Sequence, residues 1–434
     1  METSEMPPVG VIGVGWVGLV TAACFAELGH EVYARDVVPE KVASLSQGEV
    51  TFHEPGLAEL IRRNQQRLHF TTDMAEVLDR ARLLFVCVDT PPTYSGDADL
   101  SRVRSVVDDL DGGGGHVLVM KSTVPAGTGE KLRSELPGMP YVSCPEFLKE
   151  GSAVEDFMHP DRVVIGAAAE DIQAADEVAA LYEPLGGEVV RTDVSSAEMV
   201  KLASNAYLAT RISFINEIAN VCEEVGADVS EVARGMGLDD RIGPKFLRPG
   251  IGFGGSCFPK DVSSLKLLAG NSGYHFQLLN AVIEVNELQK RRVVSKLRRH
   301  LGDLVGKQIA LLGLAFKADT DDMREASSLV LSARLRGEGA QVVAYDPVAM
   351  ENARDLLPGV ELKDTALLAL EGSDAAVIVT EWPEFLEIDW AGAAERMGRP
   401  LVIDGRNFLD AEHLRAEGFA YEGIGLPGSG TETG

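Results

Sequence analysis

The sequence predicts an α/β protein with two doubly wound, Rossmann-like domains joined by a central helical domain that contains one long helix. Three observations support this: a strand, glycine turn, helix and strand pattern over residues 9–36, a similar pattern from about residue 306, and a proline-free apolar stretch from about Ser195. Strands that alternate with helices are typical of parallel sheets. We expect domains at 1–195, 196–300 and 301–434, in keeping with about 150 residues per domain.

The first domain begins with a continuous apolar run, Val9–Val14, as expected of a parallel strand that is covered on both faces. Helical spacing follows as far as Gly29, where a glycine can end the helix, and Glu31–Arg35 begins a second strand. Residues 83–88 and 116–122 are two further apolar runs, and each ends in a polar loop. These runs predict the buried strands of a parallel sheet.

The central domain is predicted from the stretch that starts at Ser195 and is apolar on most faces. A helix of about 28 residues would be roughly 42 Å long at 1.5 Å per residue. Because it is apolar nearly all round, we expect it to be buried between domains or subunits. The third domain repeats the first, since "GHEVYARDVVPEKV" and "GAQVVAYDPVAMEN" are alike and the second of these strands ends in Asp346.

Charge and composition exclude several classes of function. The balance of 40 basic and 67 acidic residues gives a net charge of −27, which argues against a nucleic-acid or membrane-surface partner. The five cysteines include no CxxC pair, and the histidines show no metal-ligand spacing, so we expect a reducing compartment and no metal. The uncharged run from Val9 to Ala26 follows an acidic leader and contains four glycines, so we interpret it as a buried strand and helix of a cytoplasmic protein.

A dinucleotide site is predicted at Gly13, Gly15 and Gly18, with Asp36 eighteen residues further on. These glycines permit a tight turn, close approach of a pyrophosphate and helix packing, while the helix N-terminus favours the anion. A glycine-rich turn that binds nothing is the alternative. Asp36 should accept the ribose hydroxyls and repel a 2′-phosphate, which favours NAD over NADP, although Arg35 beside it weakens that preference.

The loop "GFGGSCFPKD" (252–261) places Cys257 just before a helix that Pro259 is suited to begin. The helix dipole and Lys260 would both stabilise a thiolate there, and the amides of Gly254 and Gly255 could approach an anion. The alternative is a small buried hydrophobic residue, the usual fate of a cysteine. That alternative suits Cys24, Cys87 and Cys222 better, because they lie in apolar helices or strands.

Polar residues elsewhere in the sequence are further candidates for catalytic or ligand-binding roles. Lys201 and Asn205 are four residues apart and share one face of a helix that is too apolar to lie on the surface. Glu146 and Glu150 would lie on one side if Pro145 begins a helical turn, although such pairs are usually only solvated. "MKSTVPAGT" ends a predicted parallel strand with Lys121, Ser122 and Thr123, where α/β enzymes place their ligands.

Taken together, these residues resemble the UDP-glucose/GDP-mannose dehydrogenase family. The resemblance runs from about residue 8 to 407 and rests on "GVGWVG", "VDTPP…GDADLS", "KSTVPAGT", "PEFLKEGSAVEDFMHPDRVVIG", "KLASNAYLATRISFINEI", "DDRIGPKFLRPGIGFGGSCFPKD", "GLAFKADTDDMREA" and "DGRN". It implies oxidation of a primary alcohol to a carboxylate with two NAD in succession, and UDP-glucose as the substrate that yields UDP-glucuronate. GDP-mannose or a UDP-N-acetylhexosamine stays open as the substrate.

The resemblance also implies roles for individual residues. Cys257 would form a thiohemiacetal and then a thioester, with Lys201, Asp261, Glu146, Thr123 and Asn205 as the other catalytic residues. Beyond the glycines, NAD would be bound by Val17, Asp36, Lys41, Thr90, Thr123, Glu150, Lys260 and, from a neighbouring subunit, Arg324. The nucleotide sugar would be bound by Glu146, Phe147, Leu148, Lys149, Glu150, Lys201, Asn205, Phe246, Leu247, Arg248, Pro249, Gly250, Gly254, Lys317, Arg406 and, across a homodimer interface built on the long helix, Arg241.

Three positions depart from the family pattern: Trp16 stands in place of tyrosine, Cys144 in place of asparagine, and Asp89 in place of glycine. Asp89 puts a negative charge close to the expected cofactor phosphates or nicotinamide ribose. Two other classes of function stay open. A single-step hydroxyacid dehydrogenase would not require Cys257 and would form one NADH per product, and a catalytically dead regulator would bind both ligands without turnover.

Overall fold

The computed structural model describes residues 6–110 and 115–427. Within these residues the chain forms two compact units. Unit 1 runs to Ser204 and includes Ser263–Tyr274, and unit 2 contains Asn205–Val262 and the chain from His275 onward. The predicted boundaries at 195 and 300 remain predictions.

Unit 1 contains an eight-stranded sheet with the strand order 3-2-1-4-5-6-7-8. All neighbouring strands are parallel except the sixth and seventh. The strands are β1 (Val9–Ile12), β2 (Val32–Arg35), β3 (Leu68–Thr71), β4 (Leu83–Val86), β5 (Val117–Met120), β6 (Tyr141–Ser143), β7 (Arg162–Ala167) and β8 (Glu188–Thr192). The helices that alternate with them are α1 (Trp16–Glu27), α2 (Pro39–Ser46), α3 (Leu57–Arg63), α4 (Met74–Arg80), α5 (Ser101–Asp108), α6 (Thr128–Glu135), α7 (Ala153–Met158) and α8 (Ile172–Tyr182), with short 3₁₀ turns at Ala169–Asp171 and Glu183–Leu185.

The central sheet of unit 1 is covered on both faces because its strands carry apolar residues in both directions. Along β1 and β4, Val9, Val11 and Phe85 join one buried cluster, whereas Ile12 and Leu84 join another. Successive side chains of a strand point to opposite faces, so a continuous apolar run supplies both cores. This confirms the interpretation of the run from Val9 as a buried strand followed by a helix.

The long helix predicted from Ser195 is α9, Val194–Val225, which has 32 residues. It is followed by α10 (Val229–Gly237), α11 (Phe258–Asn271), α12 (Gln277–Gln289) and α13 (Arg292–Leu301). Asn216 and Asn205 are buried on α9, but Tyr207, Phe214 and Val221 are exposed. The expectation that α9 is buried between domains or subunits therefore stays a prediction, since these three side chains are exposed in the single chain.

Unit 2 contains a six-stranded, fully parallel sheet with the order 11-10-9-12-13-14. The strands are β9 (Gln308–Leu312), β10 (Gln341–Tyr345), β11 (Glu361–Leu362), β12 (Ala375–Ile378), β13 (Leu401–Asp404) and β14 (Ala420–Glu422). The helices between them are α14 (Ser327–Gly337), α15 (Met350–Leu356), α16 (Ala366–Leu370), α17 (Trp390–Arg396) and α18 (Ala411–Ala416), with a 3₁₀ turn at Pro383–Leu386. The parallel sheets of the two units confirm the predicted α/β class.

The internal repeat extends to an aspartate that directly follows the second strand of each sheet, Asp36 after β2 and Asp346 after β10. Asp36 accepts the Val14 amide at 3.1 Å, and Asp346 accepts the Leu314 amide at 2.6 Å. Asp346 also accepts the indole N–H of Trp382 and is completely buried. The two carboxylates therefore hold equivalent turns, but they differ in their surroundings.

Two local predictions are wrong. Residues 145–149 form no helix, so Glu146 and Glu150 are not brought together by a helical turn. The glycine after β9 does not lead directly into a helix either, because residues 313–326 form a loop before α14 begins at Ser327.

Within the described residues, no helix is long and apolar enough to cross a bilayer, and no group of three or more His, Cys, Asp or Glu side chains could bind a metal ion.

Candidate active site

The turn after β1 forms a cradle that only glycine can build. Gly13 has φ +91°, a conformation that other residues rarely adopt. A Cβ on Gly18 would lie 1.8 Å from the carbonyl oxygen of Gly13, so the first turn of α1 packs directly on the loop. Gly15 caps α1 with extended backbone and leaves the helix N-terminus open toward an anion. These features fit the diphosphate of a dinucleotide.

Asp36 lies at the edge of this cradle, immediately after β2. Its Oδ2 atom accepts the Val14 amide and the ammonium of Lys41, each at 3.1 Å, and its Oδ1 atom accepts the Val38 amide at 3.1 Å. The carboxylate is thus fixed beside the glycine turn, where it can accept ribose hydroxyls. Val17, in the first turn of α1, is partly buried.

Two further loops meet at the carboxyl edge of the same sheet. The Thr90 hydroxyl donates to the carbonyl oxygen of Thr123 at 2.7 Å, and the Ser122 hydroxyl donates to that of Val88 at 2.7 Å. The loop after β4 is therefore tied to the loop after β5. This brings two predicted cofactor residues, Thr90 and Thr123, together.

Lys201 and Glu146 form a buried ion pair in unit 1. The Lys201 ammonium donates to Oε1 of Glu146 at 2.8 Å, and the Leu148 amide donates to Oε2 at 2.7 Å. Burial alone would raise the pKa of Glu146, but the charge and hydrogen bond of Lys201 together hold this pKa below its usual value. Glu146 is therefore ionised at neutral pH, and Lys201 retains a carboxylate partner away from water.

The rest of the segment after Glu146 is arranged around this pair. Two cations lie near the Phe147 ring, with the Arg162 guanidinium 3.9 Å and the Lys201 ammonium 5.4 Å from its centroid. Lys149 is exposed and pairs with Asp156, whereas Glu150 is buried. The predicted segment 146–150 thus contains both buried and accessible charges.

In unit 2, Cys257 lies at the N-terminus of α11, as predicted, and is partly exposed. Its carbonyl oxygen accepts the Asp261 amide at 2.8 Å, which makes it the capping residue, and the Ser256 hydroxyl lies 3.6 Å from its sulfur. The helix begins at Phe258, one residue before the predicted Pro259. The other four cysteines are buried, and burial raises the pKa of Cys24 and of Cys87 to about 12.

A buried carboxylate lies one helical turn beyond the cysteine. Asp261 accepts the Asn205 amide group at 2.6 Å and the Lys260 ammonium at 2.7 Å. The structure therefore brings three predicted residues of unit 2 together around one carboxylate.

Backbone contacts within unit 2 fix the cysteine loop. A Cβ on Gly254 would lie 2.4 Å from the carbonyl oxygen of Glu325, and the Gly255 amide donates to the carbonyl of Arg324 at 2.8 Å. Arg406 donates to the carbonyl oxygens of Gly252 and Phe316. The segment 316–326 and the "DGRN" loop therefore contact the cysteine loop directly.

The predicted sugar segment 246–250 is anchored by buried amides. Asn216 accepts the Gly250 amide at 2.8 Å, and Gln289 donates to the Gly250 carbonyl at 2.8 Å. Phe246 adopts φ +60°, Leu247 and Pro249 are buried, and Arg248 is exposed. Arg248 is therefore the exposed cation of a segment that is otherwise largely buried.

Three predicted cations lie on accessible loops of unit 2. The Lys317 ammonium is 5.8 Å from the centroid of the Phe316 ring. Arg324 pairs with Asp322, and the strongly exposed Arg241 pairs with Asp239.

Sequence reasoning missed two carboxylates that organise unit 1. Glu198 accepts the amides of Gly127 and Gly129 at 2.7 and 2.8 Å, and Glu54 accepts the amides of Gly151 and Ala153 at 2.8 Å. Glu54 also accepts the indole N–H of Trp16, which accounts for one departure from the family pattern. Glu198 could have been found because it precedes Lys201 by three residues on an apolar helix, whereas Glu54 carries no such signal.

The fold and the cradle define a dinucleotide-dependent enzyme with a second Rossmann-like unit. Residues 8–186 match the NAD binding domain of the UDP-glucose/GDP-mannose dehydrogenase family, residues 195–288 its central domain, and residues 310–411 its UDP binding domain. The chain belongs to this family.

Named relatives match over almost the whole chain. The chain is 44% identical to the UDP-glucose 6-dehydrogenase TuaD of Bacillus subtilis over 98% of this chain and 95% of that protein. It is 43% identical to a UDP-glucose 6-dehydrogenase of Pseudomonas aeruginosa over 97% and 98%. A solved UDP-glucose dehydrogenase of Pyrobaculum islandicum superposes with a TM-score of 0.90 at 37% identity, covering 98% of this chain and 99% of that one.

Proposed function

We propose that this chain oxidises C6 of UDP-glucose to give UDP-glucuronate, with two NAD⁺ and one water consumed per product. The observation that carries the proposal is the partly exposed Cys257 at the N-terminus of α11. Simple alcohol oxidation needs no sulfur nucleophile, whereas oxidation of an aldehyde to an acid does benefit from one. The names of the relatives support UDP-glucose as the substrate.

NAD⁺, when bound, accepts the hydride in each of the two oxidations. After the first oxidation, the Cys257 thiolate adds to the aldehyde carbon, and the oxygen takes up a proton to give a thiohemiacetal. Departure of the remaining C6 hydride, with loss of the hydroxyl proton, leaves a thioester on Cys257. Water then attacks the thioester, breaks the carbon–sulfur bond and releases the carboxylate and the thiol.

Lys201 and Glu146 are assigned opposite charges in this scheme. The Lys201 ammonium stabilises the oxyanion that develops at C6, because a fixed cation away from water interacts strongly with developing charge. Glu146 is ionised, so it can accept a proton from the hydrolytic water, which we propose Thr123 helps to position.

Asp261 and Asn205 are assigned to proton removal and to orientation. Asp261 is buried and already holds two donors, Asn205 and Lys260. We infer that Asp261 assists removal of the alcohol proton and that Asn205 orients the reacting end of the sugar. The Arg406 contacts to the Gly252 and Phe316 carbonyls support a role for the "DGRN" loop in holding the substrate.

We also propose that the working form is a homodimer or a higher homo-oligomer built on α9. Tyr207, Phe214 and Val221 lie at seven-residue intervals and are 60%, 49% and 56% exposed. Such spacing puts the three side chains along one stripe of a helix, the pattern of helix pairing. Arg211, between the first two, donates to the carbonyls of Ile242 and Gly243, so the loop that carries Arg241 adjoins this stripe.

The acidic surface and the buried thiols support a cytoplasmic location. The activated uronate formed there suits polysaccharide biosynthesis.

The proposal is tested by comparing UDP-glucose, GDP-mannose and UDP-N-acetylhexosamines as substrates while NADH and product are both counted. We expect turnover with UDP-glucose and two NADH per uronate. Turnover restricted to another sugar would contradict the substrate assignment. One NADH per product would indicate a single-step dehydrogenase, and binding of both ligands without turnover would indicate a regulator.

A further inference from the structure

An acidic side chain borders the dinucleotide cradle. Asp89 follows β4, and a Cβ built on Gly15 would lie 3.5 Å from its Oδ1 atom. Gly15 caps α1, and the open amides of a helix N-terminus attract the diphosphate of a dinucleotide. A carboxylate at this edge repels that diphosphate.

A cation on the next helix compensates this charge. The Arg102 guanidinium contacts Oδ2 of Asp89 at 2.7 Å. Arg102 lies in the first turn of α5, where the helix dipole disfavours a cation. The same helix end is held by Asp99, whose carboxylate accepts the Ser101 amide at 2.9 Å. Stabilisation of α5 therefore does not explain Arg102, whereas the contact with Asp89 does.

The backbone around the pair is anchored on both sides. The Thr90 hydroxyl donates to the Thr123 carbonyl at 2.7 Å, and the Asp99 amide donates to the Pro91 carbonyl at 2.8 Å. These bonds fix the loop that leads from Asp89 to α5. The backbone that carries Asp89 and Arg102 is therefore held in place by these bonds.

We propose that Arg102 is a positioning residue for NAD⁺ binding, which neutralises Asp89 so that the dinucleotide diphosphate can occupy the cradle. Both side chains are more than half exposed, so water and salt screen the interaction. The expected effect is accordingly modest: loss of Arg102 should weaken NAD⁺ binding roughly three- to tenfold at low ionic strength.

The test measures the dissociation constant of NAD⁺ by titration calorimetry with Arg102→Met, Asp89→Gly and the double variant. Arg102→Met should bind NAD⁺ more weakly than the unaltered protein does. Asp89→Gly should bind NAD⁺ at least as tightly as the unaltered protein. The double variant should have an NAD⁺ dissociation constant close to that of the unaltered protein. Arg104→Met is the matched control, since Arg104 lies on the same helix and pairs with Glu135 instead. It should leave NAD⁺ affinity unchanged.

Two outcomes would overturn the proposal. Equal NAD⁺ affinity of Arg102→Met and the unaltered protein at about 0.02 M ionic strength would remove the role of Arg102. A double variant as weak as Arg102→Met would show that Arg102 acts on the dinucleotide directly and not through Asp89. The unfolding midpoint of each variant separates these effects from loss of structure.

Discussion

The ammonium of Lys201 and the carboxylate of Glu146 lie 2.8 Å apart, and both side chains are almost completely buried. Removing one partner of a buried pair leaves the other charge uncompensated, which typically costs about 3–5 kcal/mol of stability. Lys201→Met should therefore lower both the unfolding midpoint and kcat, the latter by about 10²-fold or more if Lys201 stabilises the oxyanion.

The double variant Lys201→Met/Glu146→Gln separates the two effects. It removes both charges together, so stability should recover substantially while kcat stays low. Chemical denaturation and steady-state NADH formation provide the two measurements. Recovery of kcat in the double variant would show that the pair is structural and not catalytic.

Replacement of Cys257 by serine should abolish uronate formation and leave NAD⁺ affinity nearly unchanged. An uncharged hydroxyl is a far weaker nucleophile than a thiolate, and the dinucleotide cradle belongs to unit 1. Ser256→Ala is the matched control, because it alters the adjacent side chain and retains the sulfur. Uronate formation and the NAD⁺ dissociation constant are the two quantities to be measured. Undiminished uronate formation by Cys257→Ser would eliminate the assignment of Cys257 as the nucleophile.

Glu198 should make stability decrease with pH. Burial raises the pKa of Glu198 to about 7, although the amides of Gly129 and Gly127 favour its ionised form. Because the folded state holds this proton more tightly than the unfolded chain does, its contribution is full below about pH 4.5 and is lost as pH rises through 7. The loss amounts to up to about 3 kcal/mol.

Glu198→Gln should remove that pH-dependent component, so the unfolding midpoints of variant and unaltered protein should converge or cross between pH 5 and 8. Glu188→Gln, at an exposed position on β8, serves as the control and should preserve the original slope. Identical pH profiles for Glu198→Gln and the unaltered protein would contradict the assignment.

The exposed stripe on α9 gives a prediction for assembly. Phe214→Asp should dissociate the proposed homo-oligomer, because it places a charge in the middle of the proposed apolar contact between helices. Sedimentation velocity measures the change, with Ile172→Asp, at an equally exposed apolar position on α8, as the control. A monomeric unaltered protein, or an oligomer that survives Phe214→Asp, would rule out this interface.

The sequence predicted the elements whose signals are local. The glycine turn and the helix that starts after Cys257 depend on neighbours within a few residues, and they lie within one residue of where they were predicted. Asp36 was predicted from its spacing of eighteen residues after Gly18, and it lies beside that turn. Glu54 and Glu198 were missed because their partners lie 97 and 71 residues away, respectively, and are backbone amides that leave no side-chain signature. The helical turn considered at Pro145 does not form, and Glu146 pairs with Lys201, 55 residues further along the chain.

The two strand-ending aspartates also differ in a way that affects the order of events. Asp346 receives amides from both sides and an indole and is completely buried, whereas Asp36 is 7% exposed beside the glycine turn. Of these two aspartates, Asp36 is thus the one that can contact a ribose, so the two NAD⁺ of a four-electron oxidation must occupy this site in succession. The half-oxidised sugar therefore has to remain held while the spent nicotinamide departs and a fresh one enters, so retention of the aldehyde becomes as important as either chemical step.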